Sequence, residues 1–443
     1  MPTAEAAPLA DDEVDRLLAP LAAAGRIALA VSGGADSLAL AECVARWRTR
    51  RGGGPEAIVL TVDHRLRRGS AREAAGVAAM ARGHGLAARV LRWTGPRPKA
   101  NIEAAARRAR YRLLLTAAAE AGASHLVLAH HRDDQAETFL MRLERGAGVF
   151  GLAAMRREVT AGAIVIVRPF LDVPRARLAA TAAAAGLEPV DDPMNRDPRF
   201  ARARVRRVMP LLAAAGLDAA LIARSAARLG EAAVAIDAAA SALIGAAVTT
   251  DAMAVARLDP AAFAAAPEAV RQRALVRVLL AVGGDDYPPR RERGQRLATA
   301  LAAHRAGRFK RTLAGTVIEW RKPVFVVYRE LGRDGLLTLP LRPGAEVAWD
   351  HRFAVRLGRG APAGLTVGAL GEAGRRLVGA AAGDAPAGAL AGLPAIRKRG
   401  RILGVPPLGH VGRGGEGLAV TVRPLIEERL ARPPLFPDFA AEG

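Results

Sequence analysis

A chain of 443 residues is longer than one hydrophobic core usually serves, so about two or three domains are expected. Hydrophobic residues make up 51% of the chain, which excludes general disorder. The 65 Lys and Arg residues outnumber the 43 Asp and Glu residues by 22, and this excess favours a polyanionic partner such as nucleic acid.

No targeting or membrane segment is expected. The first twenty residues are acidic, and the most apolar later stretch, 232–250, carries Asp237. The single cysteine, Cys43, cannot form an internal disulfide, which favours a cytoplasmic protein. Codon bias would spread arginines evenly. They are clustered instead, so we favour nucleic-acid binding over bias; the oligomeric state is not indicated.

Short apolar runs alternate with helical stretches between Arg26 and Phe170. The predicted strands are 27–31, 58–62, 88–91, 126–129 and 164–167, and the predicted helices are 70–84, 101–121 and 133–145. Ser70 and Glu73 have the spacing of a helix capping box. The alternation predicts an α/β fold, with a parallel sheet covered by helices on both faces. Ligands bind such sheets at the carboxyl ends of the strands.

The hexapeptide Ser32–Ser37, with sequence SGGADS, lies between the first predicted strand and a helix. Its glycines allow successive N–H groups to face one concavity, and a helix N-terminus favours phosphate. The carboxylate of Asp36 in such a place suggests Mg²⁺ bridging it to phosphates. The alternative is a glycine turn in which Asp36 and Ser37 are ordinary helix caps.

A second polar cluster, 130–138, follows the strand at 126–129. It contains two imidazoles, three acids and a hydroxyl. Asp134 and Glu137 are three residues apart on one helix face, where they could share a cation or act as acid and base. The alternative is a capped, solvated helix start.

Two groups of arginines are candidates for phosphate contacts, because the planar guanidinium binds two oxygens at once. Arg107 and Arg110 lie three apart on the helix that begins near Asn101. The second group, which follows a polar loop at 191–197, contains Arg202, Arg204, Arg206 and Arg207. Alternate arginines reach the same side only in an extended segment, whereas in a helix they fan round it.

The rest of the chain carries fewer motifs. We predict a first domain at 1–212, a mostly helical, alanine-rich domain at 213–330, and a small β-containing domain at 331–443. The helical region 213–306 is followed by a hairpin that turns near Lys322 and Pro323.

These motifs resemble a known family. The sequence SGGADS resembles the pyrophosphate-binding loop, or PP-loop, of the ATP pyrophosphatase superfamily. In order, SGGADS, VDHRLRRGS, NIEAAARRARY, HHRDDQAET, RPFLDVPR and DDPMNRDPRFARARVR resemble the tRNA(Ile)-lysidine synthetase family over about 27–212. Met194 departs from the family pattern, which commonly has serine at that position.

The resemblance implies a two-step ligation on the wobble cytidine of the tRNA(Ile) with a CAU anticodon. ATP adenylates the base with release of pyrophosphate, and the ε-amine of free lysine then displaces AMP. The implied catalytic residues are Asp36, Asp134, Glu137, Arg107 and Arg110. ATP is implied at Ser32, Gly33, Gly34, Ala35, Asp36, Ser37 and His64, and Mg²⁺ at Asp36. Lysine is implied at Asp133, Asp134 and Glu137, and tRNA at Arg202, Arg204, Arg206 and Arg207, with further tRNA contacts in the later domains.

Three other functions were weighed. A tRNA thiolase of the same superfamily would need cysteines to carry sulfur, and the chain has only Cys43. A small-molecule ligase would not need the large positive charge. A non-catalytic RNA-binding protein would not need Asp36, Asp134 and Glu137 together.

Overall fold

The computed structural model describes residues 6–63, 65, 69–94, 102–190, 197, 199–333 and 335–432; the side chains of 102–106, 380 and 382 are not described. The chain separates into two compact units that meet in sequence between Ala233 and Val234. Each unit has its own sheets and its own hydrophobic clusters.

The first unit alternates strands and helices, as the sequence predicts. Its strands are β1 (Arg26–Ala30), β2 (Glu56–Asp63), β3 (Ala87–Arg92), β4 (His125–Val127), β5 (Glu158–Ala161) and β6 (Ile164–Val167). Its helices are α1 (Asp11–Leu18), α2 (Ala35–Arg50), α3 (Ser70–Gly83), α4 (Ile102–Glu120), α5 (Arg132–Glu144), α6 (Val149–Leu152), α7 (Arg175–Ala184), α8 (Ala201–Ala214) and the first part of α9 (Ala219–Ala247).

The strands form one sheet in the order β3-β2-β1-β4-β6-β5. All neighbours are parallel except β5, which forms an antiparallel hairpin with β6 at the edge. The chain leaves β1 toward β2 on one side and returns to place β4 on the other side. The switch point therefore lies between β1 and β4, and ligands bind α/β sheets beside such a point, at the carboxyl ends of the strands.

Helices cover both faces of this sheet, as predicted. Ile27 and Leu29 of β1 pack on one face with α2, α3 and α7, whereas Ala28 packs on the other face with α4. Leu29 is fully buried, which stabilises the fold by about 1.5–3 kcal/mol relative to an exposed leucine. Alternate side chains of β1 thus pack against helices on opposite faces, so the central strands β1 and β4 lie between two packed layers.

The predicted capping box at the start of α3 does not form. The N-cap residue is Gly69, in a left-handed conformation, and no side chain caps the helix there. The Ser70 hydroxyl donates instead to the Asp63 carboxylate at 2.5 Å, at the end of β2. A buried carboxylate needs a donor, and this requirement outweighs local capping.

The second unit mixes helices with short antiparallel strands. Its helices after α9 are α10 (Pro260–Ala265), α11 (Glu268–Gly283), α12 (Arg291–Ala303), α13 (Gly371–Val378), α14 (Ala387–Ala391) and α15 (Ile426–Ala431). Its strands are β7 (Val248–Thr250), β8 (Ala256–Leu258), β9 (Lys310–Leu313), β10 (Thr316–Arg321), β11 (Val324–Arg329), β12 (Leu339–Pro340), β13 (Glu346–Trp349), β14 (Phe353–Leu357), β15 (Leu365–Ala369), β16 (Pro394–Lys398), β17 (Arg401–Val405), β18 (His410–Val411) and β19 (Val420–Pro424).

These strands form three sheets, in the orders β7-β8-β11-β10-β9, β12-β15-β16-β17-β18 and β13-β14-β19. The predicted hairpin is confirmed, with Arg321 of β10 opposite Val324 of β11. The alanine-rich region 213–306 is mostly helical, as predicted, but it also contains the short strands β7 and β8, and β8 adds to the free edge of β11. One hydrophobic cluster includes α9, α11 and α12 together with β14 and β16.

Helix α9 is long and apolar enough to cross a membrane, by length and composition alone. Its Asp237 nevertheless accepts two hydrogen bonds from Arg273 of α11, at 2.5 and 3.0 Å. Ser241, one turn later, accepts one from Arg277 at 2.6 Å. Helix α9 therefore makes polar contacts with α11 through Asp237 and Ser241.

Candidate active site

The loop after β1 is shaped for a phosphate ligand. Gly33 has φ +89°, and a Cβ there would approach Val77 and Val190 at 3.2 and 3.3 Å, so the fold itself requires glycine. Gly34 has an ordinary φ of −72°, and a Cβ there would meet only the Ser32 hydroxyl, at 3.9 Å. The protein leaves open space beside Gly34, at the N-terminus of α2, where the first-turn N–H groups have no intrahelical acceptors.

The two serines of the loop, Ser32 and Ser37, have different surroundings. The Ser37 hydroxyl donates to the Gly34 carbonyl at 2.9 Å and accepts from the Ser32 N–H at 3.1 Å, so it braces the loop. Ser32 is exposed, and its own hydroxyl lies 3.3 Å from that of Ser37. Of the two serines, Ser32 is therefore the one that is accessible to solvent.

Asp36 places a carboxylate in the first turn of α2. Its Oδ1 is buried and has no hydrogen-bond partner among the described residues, and Nε of Arg175 lies 4.0 Å away. Its Oδ2 lies 3.5 Å from Nε2 of His131. An unpartnered, buried carboxylate oxygen beside a phosphate loop fits Mg²⁺, which binds through one or two carboxylates together with phosphates and water.

His131 links the phosphate loop to helix α5. It is the N-cap residue of α5, where its Nδ1 accepts from the Asp134 N–H at 3.3 Å, and its own N–H donates to the Asp134 carboxylate at 3.2 Å. Burial opposes a charged ring, but Asp36, Asp134 and Asp133 outweigh burial and raise the pKa of His131. The polar run at 130–138 thus does cap its helix, while it also gathers three carboxylates around one imidazole.

The neighbouring His130 has the opposite electrostatic environment. Burial and the nearby Arg168 guanidinium hold its pKa well below the usual value, so the ring is neutral. Nε of Arg168 donates to its Nδ1 at 3.2 Å, which leaves the ring proton on Nε2. Arg168 follows β6 and is fully buried. The sequence analysis gave Arg168 no role. Its position directly after β6 could have indicated one, because ligands bind at the carboxyl ends of such strands.

The three predicted lysine-binding acids have different surroundings. Asp133 accepts from the Arg175 N–H at 2.9 Å and so holds the start of α7. The positive charges of His131 and Arg202 outweigh burial and lower the pKa of Asp134. Burial raises the pKa of Glu137, and a hydrogen bond from Arg206 opposes that shift.

The arginines predicted to contact tRNA lie on helix α8, so the extended alternative is wrong. Arg202 and Arg206 are one turn apart and face α5, whereas Arg204 and Arg207 are exposed. On α4, the Arg107 guanidinium stacks 5.5 Å from the centre of the Tyr111 ring and contributes to the low pKa of His130, while Arg110 is exposed. The predicted ATP contact His64 and most of the loop at 191–197 lie outside the described residues.

Several known proteins are similar to this chain. A family model described as a PP-loop domain matches residues 8–212. The tRNA(Ile)-lysidine synthase of Bradyrhizobium sp. strain BTAi1 is 45% identical over 332 residues, covering 71% of this chain and 93% of that protein. That of Ruegeria pomeroyi is 39% identical over 349 residues, covering 78% and 81%. Among solved structures, the U34-tRNA thiolase NcsA from Methanococcus maripaludis is similar with a TM-score of 0.43 and 18% identity, covering 50% of this chain and 78% of that chain. Identities of 45% and 39% over 93% and 81% of these two synthases show that the chain belongs to the tRNA(Ile)-lysidine synthase family.

Proposed function

We propose that this protein uses ATP to ligate free lysine to carbon 2 of the wobble cytidine in the tRNA(Ile) with a CAU anticodon. The observation that carries the proposal is the contact of His131 with both Asp36 and Asp134. His131 lies within 3.5 Å of Asp36 in the loop after β1 and of Asp134 on α5, so the proposed nucleotide-binding loop and the acidic residues of α5 are neighbours at the switch point of the sheet.

In the first step, the cytosine O2 attacks the α-phosphorus of ATP, and pyrophosphate leaves. The N–H groups at the start of α2 and the exposed Ser32 hydroxyl would bind the phosphates. Asp36 would hold Mg²⁺, which when bound neutralises charge on the phosphates. Arg107 and Arg110 would add positive charge from α4, and His64 would add an ATP contact.

In the second step, the ε-amine of lysine attacks carbon 2, and O2 leaves with AMP. The amine must lose its proton before it attacks. Asp133, Asp134 and Glu137 would bind the lysine side chain, and one of these carboxylates would accept the proton. The target base lies in a single-stranded loop, so it can enter the site without the opening of a duplex. We further propose that the enzyme acts in the cytoplasm, as its single cysteine indicates.

One assay tests this proposal. The purified chain is incubated with ATP, Mg²⁺, labelled lysine and a transcript of the CAU tRNA(Ile), and label is counted in the RNA. We expect label that depends on ATP, with one AMP and one pyrophosphate formed per lysine. A transcript with uridine at the wobble position is the control, and equal labelling of both transcripts, or of neither, would contradict the proposal.

A further inference from the structure

Two arginines of α8 occupy the acidic site on α5. Nε of Arg206 lies 2.6 Å from Oε1 of Glu137, and its second guanidinium nitrogen donates to Oε2 at 3.2 Å. Nε of Arg202 lies 3.1 Å from the same Oε2. Both guanidinium groups also lie within 3.9 Å of Oδ1 of Asp134. Both oxygens of Glu137 are therefore taken by cations.

The carboxylates of this cluster are more deeply buried than the guanidinium groups that contact them. The side chains of Glu137 and Asp134 are only 4% and 10% exposed, whereas those of Arg202 and Arg206 are 27% and 26% exposed. A buried carboxylate needs a cationic partner, because it cannot be solvated by water. The arginines reach the solvent side of the pair, where another anion can meet them.

The two carboxylates of Glu137 and Asp134 already face two guanidinium groups, and His131 also lies beside Asp134. A lysine ε-ammonium that enters would add a further positive charge and would find no vacant oxygen on Glu137. At least one guanidinium must move away before Glu137 can bind the amine. The phosphates of RNA are suitable acceptors, because a guanidinium binds a phosphate through two parallel hydrogen bonds.

We propose that Arg202 and Arg206 couple lysine binding to tRNA binding. In the protein without tRNA they occupy the carboxylates that receive the ε-ammonium, and tRNA phosphates draw them away and open the site. The inference rests on the proposed function, since it takes Asp134 and Glu137 as the lysine site and α8 as a tRNA contact. It makes Arg202 and Arg206 positioning residues, which keep lysine from binding tightly before the RNA substrate is present.

The coupling is measurable without catalysis. Lysine affinity is measured by equilibrium dialysis with the full chain and no ATP, with and without a saturating CAU tRNA(Ile) transcript. We expect tRNA to tighten lysine binding by about tenfold, within the usual range of coupling between two sites. By linkage, saturating lysine should tighten tRNA binding by the same factor.

Two variants assign the coupling to these arginines. In Arg206→Gln and in Arg202→Gln, lysine binding without tRNA should become several-fold tighter, and the effect of tRNA should shrink accordingly. Arg224→Gln removes an exposed arginine from α9 and is the charge-matched control, with the coupling expected to stay as in the wild type. Glutamine keeps donors near Glu137, and thermal unfolding verifies that each variant is folded.

The comparison of lysine affinity with and without tRNA uses the wild type alone, so it tests the inference even if a variant misfolds. Equal lysine affinity with and without tRNA would overturn it. Weaker lysine binding in Arg206→Gln would also overturn it, because Arg206 would then be part of the lysine site. If the wild type incorporates lysine but shows no coupling, only this inference fails; if no label enters the RNA, the proposed function fails.

Discussion

At the scale of single residues, Asp36 gives the sharpest test of the phosphate site. Its Oδ1 is buried without a hydrogen-bond partner among the described residues, which fits a cation ligand. Asp36→Asn keeps the shape of the side chain but removes its charge. We expect pyrophosphate release in the presence of tRNA to fall about 100-fold or more, and tRNA affinity to stay within about twofold.

The exposed Asp12→Asn on α1 is the matched control for that change, with turnover expected to equal that of the wild type. Normal pyrophosphate release by Asp36→Asn would show that this carboxylate does not support the nucleotide chemistry.

Cys43 provides a second residue-scale prediction. It is fully buried in α2, and burial raises the pKa of its thiol to about 12, so the thiolate is not populated near neutral pH. We expect Cys43→Ala to keep lysine incorporation within about twofold, with a stability loss on the order of 1 kcal/mol from the small cavity. The wild-type thiol should react with an alkylating reagent only after denaturation.

Activity and the circular dichroism spectrum of Cys43→Ala are measured together. Lost activity with an unchanged spectrum would restore the sulfur-transfer alternative, in which a cysteine carries the reaction.

The sequence predicts which residue types gather at the site, but not how they pair. Ser32, Asp36 and Asp134 follow strands whose carboxyl ends must meet, so their proximity could be inferred from chain order. The pairing of Arg206 with Glu137 joins residues 69 positions apart, and no local pattern encodes it. The same holds for Arg168 and His130, whose hydrogen bond depends on the placement of β6 beside β4.

At the scale of elements, α1 and α7 are joined by one ion pair. Glu13 accepts hydrogen bonds from Arg177 at 2.7 and 2.6 Å, and these lower the pKa of Glu13 from 4.5 to about 2. Glu13 is 28% exposed, so we expect Glu13→Gln to reduce the free energy of unfolding at pH 7 by about 1–2 kcal/mol, less than the full shift implies.

The difference in the free energy of unfolding between the wild type and Glu13→Gln should depend on pH, because the pKa of Glu13 is lowered in the folded protein. A lowered carboxyl pKa stabilises the fold above the unfolded pKa, so the difference should persist down to about pH 4.5 and shrink as the pH falls toward 2. Urea unfolding at pH 7 and pH 3.5 measures it, with the exposed Glu188→Gln as control. An equal difference at both pH values would rule out the ionised pair as its source.

Helix α8 separates arginines that look equivalent in sequence. Arg206 faces Glu137, whereas Arg204 is exposed and more open to RNA. We expect Arg204→Ala to weaken tRNA binding and to flatten the plot of log affinity against log salt by about one phosphate contact, roughly 0.7–0.9 in slope. Arg224→Ala is the control, and a tRNA affinity independent of salt would contradict this electrostatic contact.

Strands with long apolar runs can be predicted from the sequence, whereas short strands without such runs cannot. In the first sheet, β1, β2, β4 and β6 lie in runs of four or more apolar residues, and these four strands and β3 are the five that were predicted and are confirmed. Strands β7 and β8 have three residues each and form only because β11 offers an edge, so tertiary pairing decides them. The failed capping box at Ser70 has the same kind of cause, since the buried Asp63 lies seven residues away.

At the scale of the whole molecule, the first unit contains the PP-loop, both hydrophobic clusters that cover its sheet, and the acidic site. The second unit has a separate cluster that serves its helices and its strands. The domain boundaries at 212 and 330 stay predictions. Residue 212 lies inside α8, and the two compact units meet in sequence between Ala233 and Val234 instead.

We expect both units to take part in recognition of the tRNA. The CAU anticodon also occurs in a methionine tRNA, so a pocket that binds only the wobble base cannot distinguish the two RNAs. Exposed arginines continue in the second unit, among them Arg291, Arg293 and Arg296 on α12. We expect a fragment ending at Ala233 to bind ATP, but to lose at least about tenfold in tRNA affinity together with the preference for the isoleucine tRNA. Lysine incorporation into both tRNAs is compared for the fragment and the full chain, with circular dichroism to verify folding. A folded fragment that keeps both the rate and the preference would show that the second unit does not recognise RNA.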